Sequence, residues 1–188
     1  MRATWARVTG VASLVGGPAW VVACLAHNSL PQGCIDEGCV DHAMRESTPA
    51  AEVPFVVAGV MLAATGVGLL ALARARTGLG RSGVAAGVAG AVGCALLAVA
   101  LVVSTFVDNN WNGMPGLVVP GVLLLVLGLV LGVVVVLRAR VLPTWCAISL
   151  LASAVLLPFA NEQTSRILLA VPFRLCWMGA GVVLLRRR

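Results

Sequence analysis

The sequence has no lysine and no tyrosine, and only 11% of its 188 residues are charged. A soluble domain carries about 25% charged residues, because its surface must be hydrated. With 60% apolar residues and a mean hydropathy of +1.03, a globule of this size cannot cover that surface. The shortage of charge excludes a soluble enzyme, a disordered chain and a nucleic-acid-binding domain. Several motifs are missing as well: a Walker loop, a dinucleotide-binding glycine pattern, H-E-x-x-H and G-x-S-x-G. Nucleotide chemistry and energy-coupled pumping are therefore unsupported, and no cofactor is implied.

What is present is a series of long apolar runs. A hydrocarbon core of about 30 Å takes roughly 20 helical residues to cross. Six segments fit that length: Val8–Ala26, Pro54–Ala73, Gly83–Val107, Leu117–Leu137, Val141–Phe159 and Ile167–Leu185. They are apolar on all faces and lack strand alternation, which excludes a β-barrel. Backbone groups in lipid must satisfy one another, so these runs read as helices. The predicted fold is all-α: one six-helix transmembrane bundle over residues 1–188, with residues 27–53 as its sizeable loop.

The formal net charge of +6 comes from arginine alone. Ten of the 13 arginines fall on one side of this topology: Arg2, Arg7, Arg74, Arg76, Arg81, Arg138, Arg140 and Arg186 to Arg188. Arg45 and Arg166 fall on the other, and Arg174 lies within a helix. Positive charge stays inside, so both termini are expected in the cytoplasm of a plasma-membrane protein, with residues 27–53 outside. Asp36, Glu37, Asp41, Glu46, Glu52, Asp108 and Glu162 mirror the split. Small clusters between apolar runs are orientation signals and not a basic groove. The expected partner is the bilayer, and no nucleic acid.

The polar residues suggest where function sits. Arg174 is the sharpest signal, because a central arginine costs about 2.5–3.5 kcal/mol on insertion scales. It needs a carboxylate such as Glu162 or Asp108, or an anionic ligand. Arg174, Trp111, Phe159, Phe173 and Trp177 are the candidate ligand-binding set. Asp108 and Glu162 are the candidate catalytic acids if the protein is an enzyme. An acid-initiated isoprenoid cyclase or isomerase needs a protonated carboxyl and an aromatic-lined cavity, and a carboxyl at a dehydrated helix end has the raised pKa this requires.

Three readings follow. The first is a membrane-embedded binding or accessory protein, holding a lipophilic or anionic ligand in the outer half of the bundle. The second is the isoprenoid enzyme. The third is a small transporter.

Other features carry paired readings. Outside the cytoplasm, Cys34 and Cys39 are expected to form a disulfide. With His42 their spacing departs from zinc-ligand patterns, and no metal is expected. Gly83, Gly87 and Gly90, and Gly128 and Gly132, recur at helical spacing. Such small residues serve packing within the bundle or a homo-oligomer face. Val21 to Cys24 loosely resembles a lipoprotein processing box, although Leu25 and Ala26 prolong the apolar run; cleavage there leaves the remaining topology unchanged.

In the second half, Leu124–Val136 is followed by Leu137-Arg138-Ala139-Arg140-Val141-Leu142-Pro143-Thr144-Trp145. This resembles small six-helix integral membrane proteins of high-GC Gram-positive bacteria, in which a helix ends in Arg-x-Arg and the next opens on aliphatic-Pro-x-Trp. The resemblance covers residues 54–188. It implies a bacterial six-helix protein with a tight cytoplasmic turn and an interfacial tryptophan, and it transfers no catalytic residue.

Overall fold

A computed structural model describes residues 2–33, 45, 48–108 and 111–186. The expected Cys34–Cys39 disulfide and His42 lie outside the described residues. Among those described, the chain is all-α with no strand. The elements are α1 (Arg2–Ser29), α2 (Pro49–Thr77), α3 (Gly80–Phe106), α4 (Met114–Arg138), α5 (Thr144–Ala154) and α6 (Val171–Arg186). Two 3-10 segments, Leu157–Phe159 and Ser165–Ala170, lie between α5 and α6.

Five helices are long and apolar enough to cross a membrane, the last of them counted from Ser165 to Arg186. The fifth predicted run differs: α5 has only 11 residues. The reason is local. Pro158 has no N–H to donate to the Ala154 carbonyl, and its ring clashes with a helical carbonyl four residues back. The helix stops at Ala154, and 3-10 turns carry the chain on. Pro172 likewise cannot donate to Leu168, and α6 is entered through a 3-10 segment instead of starting as a single helix at Ile167.

The helices form two groups. α1 packs along α2 and along α6, and α3 packs along α4. α2 and α3 are consecutive in sequence but touch sparsely. The tight α3–α4 seam rests on glycine. A Cβ on Gly93 would stand 2.6 Å from the Leu125 nitrogen, and one on Gly128 would stand 2.6 Å from the Gly90 nitrogen. Lipid tails are as apolar as the helices, so such backbone approach, and not exclusion from water, holds the pair. On α1, Gly10 and Ser13 receive Gly181 of α6 in the same manner. The apolar core lies where α2, α4, α5 and α6 meet, with Leu69, Val136, Leu150, Phe173 and Trp177 buried in it.

The α4–α5 turn explains the Arg-Ala-Arg signature. The Val141 N–H bonds the Val136 carbonyl at 3.0 Å, and the Arg140 N–H bonds the Leu137 carbonyl at 3.0 Å. That pair of bonds is a Schellman closure, with Arg140 in the left-handed position at φ 51°. Arg76 Nη1 donates to the Arg140 carbonyl at 2.5 Å, tying the end of α2 to this turn. Arg74, Arg76, Arg81, Arg138, Arg140 and Arg186 thus share one end of the bundle, called here the arginine end. Glu52, Asp108 and Glu162 mark the opposite, carboxylate end.

The glycine seam is testable. Gly128→Ala drives a methyl into the α3 backbone, and overpacking of this kind costs about 1–3 kcal/mol. Gly179 has open space around its Cβ position. Gly179→Ala should leave stability unchanged or raised, while Gly128→Ala should lower it, measured by unfolding in mixed detergent micelles.

Candidate functional site

Two features stand out: a polar and aromatic cluster near the carboxylate end, and an apolar cavity deeper in the bundle.

The cluster is built around Arg174, in the first turn of α6 and only 2% exposed. Its guanidinium carbon lies 3.7 Å from the Trp20 ring centroid and 5.3 Å from that of Phe173. Glu162 and Asp108 were the partners expected from sequence. Among the described residues no carboxylate pairs with Arg174, and its buried Nε has no hydrogen-bond partner. The Trp20 face is the counter-group, an interaction worth about 2 kcal/mol when desolvated. Trp20 in turn stacks on Phe55 at 4.5 Å, and Phe55 meets the His27 ring edge-on at 6.1 Å. One aromatic column therefore joins α1, α2 and α6.

Above it, Arg45 closes the carboxylate end. It is 5% exposed. Its Nε donates to the Pro31 carbonyl at 2.9 Å and its Nη1 to the Glu162 carbonyl at 2.7 Å. Its own N–H donates to Gln163 Oε1 at 2.6 Å. The Gly33 N–H adds a bond to the Gln163 carbonyl at 2.9 Å. These bonds clamp the segment after α1 to the segment before α6. Much of the Glu162 residue is exposed, yet its carboxyl is held above the usual carboxylate range. Loss of hydration raises it first and the charge of Glu52 second, while Gln163 and Arg45 oppose them.

The apolar cavity has a volume of about 240 Å³. It opens between α2 and the α3–α4 pair and reaches α5 and Trp177 of α6. Its walls include Gly66, Gly87, Gly90, Gly132, Cys94 and Trp177. A Cβ on Gly66, Gly90 or Gly132 would meet nothing within 4 Å. These glycines face space, whereas Gly93 and Gly128 face backbone. The cavity sits at mid-depth and toward the arginine end, away from the carboxylate-end half where the sequence pointed to a ligand. A second cavity, also about 240 Å³, is lined by Glu52, Val56, Leu101, Val102, Thr105 and Phe106.

The structure divides the residues proposed from sequence. Arg174, Phe173 and Trp177 are buried, at 2%, 1% and 3% exposure. Phe159 and Trp111 are exposed, at 63% and 44%. Asp108 and Glu162 line neither cavity. The carboxylate that does face one is Glu52. Sequence reasoning missed Trp20, Phe55 and the clamp role of Arg45. A signal for Trp20 existed, since a buried guanidinium without an acid calls for an aromatic face, and Trp20 is the one aromatic well inside the first apolar run. Comparison with protein-family models, curated proteins and solved structures returned no match, so the site has to be read from its own chemistry.

Two measurements probe this region. Trp20→Leu should lower stability by about 2 kcal/mol. Adding Arg174→Met should recover most of that loss, because an apolar group replacing a buried charge is often neutral or better; a double-mutant cycle on detergent-phase melting reads the coupling. The second concerns pH. The folded-state pKa of Glu162 is raised, so folding favours its protonated form. Stability from this group is full below the unfolded carboxylate value and falls as pH rises through the raised one. Glu162→Gln should flatten that part of the melting-temperature profile.

Proposed function

We propose that this chain is a multi-pass plasma-membrane protein that binds a lipophilic small molecule in the lateral apolar cavity. The observation that carries the reading is the cavity itself, walled by glycines whose missing side chains leave room instead of closing a contact. Helix packing gains nothing from a glycine that faces open space, and each such glycine in a helix costs about 1 kcal/mol relative to alanine. Occupancy by an apolar molecule gives those positions a use. At about 240 Å³ the cavity exceeds the ~150 Å³ of an engineered void that binds benzene. It is smaller than the roughly 300–1,000 Å³ of sites for drug-sized ligands. That size suits a segment of hydrocarbon chain and not a polycycle.

Both termini are placed in the cytoplasm. The gathering of Arg74, Arg76, Arg81, Arg138, Arg140 and Arg186 at one end supports this orientation. The bilayer is the constant partner. The packed glycines at Gly93 and Gly128 favour assembly within one bundle over a homo-oligomer face. A binding role fits better than an acid-initiated isoprenoid reaction, since neither Asp108 nor Glu162 lines a cavity.

Mass spectrometry on protein extracted in native nanodiscs tests the proposal. Wild type should retain an apolar molecule over bulk lipid, and Gly66→Leu with Gly132→Leu, which fill the cavity, should lose it. Identical profiles from both proteins would refute the reading.

A further inference from the structure

Glu52 stands in the first turn of α2 and lines the second cavity. Its carboxylate makes no ion pair or hydrogen bond among the described residues. Its charged neighbour is the like-charged Glu162. Across the same cavity are Thr105 and Phe106 at the far end of α3.

The two cavities lie on one gap. On α2, Glu52, Val56, Gly59, Ala63, Gly66 and Leu70 recur at alternating steps of four and three, which places them on one face. On α3, Gly87, Ala91, Cys94, Ala98, Leu101 and Thr105 do the same. The helices are antiparallel, and each step along α2 toward the arginine end is matched by a step back along α3. Glu52 therefore faces the level of Thr105, and Gly66 faces that of Ala91. Between the cavities the facing positions are Gly59, with open space at its Cβ position, and Ala98, which is exposed. The sparse contact between α2 and α3 is this gap seen from the backbone.

We infer that the gap between α2 and α3 seats a single-chain amphiphile with a cationic, hydrogen-bond-donating head at Glu52 and its tail in the glycine-walled cavity. This rests on the binding role proposed above and adds the ligand class and its direction. An unpaired carboxylate on the wall selects a cation over an anion. The remaining lining is apolar apart from Thr105, so only the head is polar. Glu52 lies ten residues before Leu62, the first residue of the deeper cavity on α2, or about 15 Å along the helix axis. The tail must be at least that long. That is about half of the ~30 Å hydrocarbon thickness, the reach of a long-chain amine. The gap is lateral, so the molecule enters from the lipid.

The test uses full-length protein in nanodiscs and three photoreactive probes with the same diazirine-bearing chain: a primary amine, a carboxylic acid and a headless alkane. The alkane should label peptides containing Gly66 and Cys94. The amine should label them more than the acid by about tenfold, the ratio that corresponds to about 1.4 kcal/mol. Glu52→Gln should collapse that ratio while alkane labelling persists, and Glu52→Asp should keep it. Alkane labelling with equal amine and acid yields, or a ratio unmoved by Glu52→Gln, overturns the inference and leaves the binding role standing. No alkane labelling overturns both; Cys94 cross-links between copies in its place would assign the face to a second molecule of this chain.

Discussion

The fold depends on one constraint: in lipid, apolar side chains gain little by touching each other, so helices must associate through close backbone approach. The α3–α4 pair meets it where Gly128 faces Gly90 and Gly93 faces Leu125. The α1–α6 pair meets it where Gly181 faces Gly10 and Ser13. Polar side chains are kept compatible with this by bonding locally. The Thr65 hydroxyl donates to the Met61 carbonyl at 2.7 Å, and the Ser13 hydroxyl reaches Thr65 at 3.4 Å. Where neither close approach nor local satisfaction operates, between α2 and α3, the bundle stays open.

That opening and the polar cluster stand in contrast. The cluster is held mostly by its own groups: Arg174 is covered by Trp20, and Arg45 gives Nε and Nη1 to main-chain carbonyls and its N–H to Gln163. A guanidinium so covered acts as a fastener between α1 and α6. The gap has the reverse character, with small residues that cover nothing and a carboxylate without a cation. The binding role proposed above belongs to the second region, although the first holds the more costly charge.

Much of the architecture was legible because hydropathy and length are properties of contiguous sequence. Five of the six apolar runs become helices long enough to span. The remaining run, the fifth, folds as the short α5, because counting apolar residues ignores the missing N–H of Pro158. The site was far less legible. Gly90 and Gly93 stand three residues apart in α3, yet one position faces space and the other faces backbone. Sequence spacing records that both are small, but not which side each presents. The depth of Arg174 could be counted from its helix. Its stacking partner could not, because Trp20 lies 154 positions away and no local rule connects them. Glu52 was visible as a helix-end acid, and its place on a cavity wall depends on how α2 and α3 splay.

The clamp at Arg45 joins residues far apart in time as well as in sequence. Its hydrogen bonds to Glu162 and Gln163 span 117 and 118 positions. A ribosome adding about 5–20 residues per second needs roughly 6–24 s to cover that distance. During this interval α2 is made and can join α1, but the helix that completes their seam and covers Trp20 is not yet present. The first helical pair must persist in the membrane with one flank of small residues open to lipid. Closure of the bundle is therefore a late event, governed by the arrival of α6.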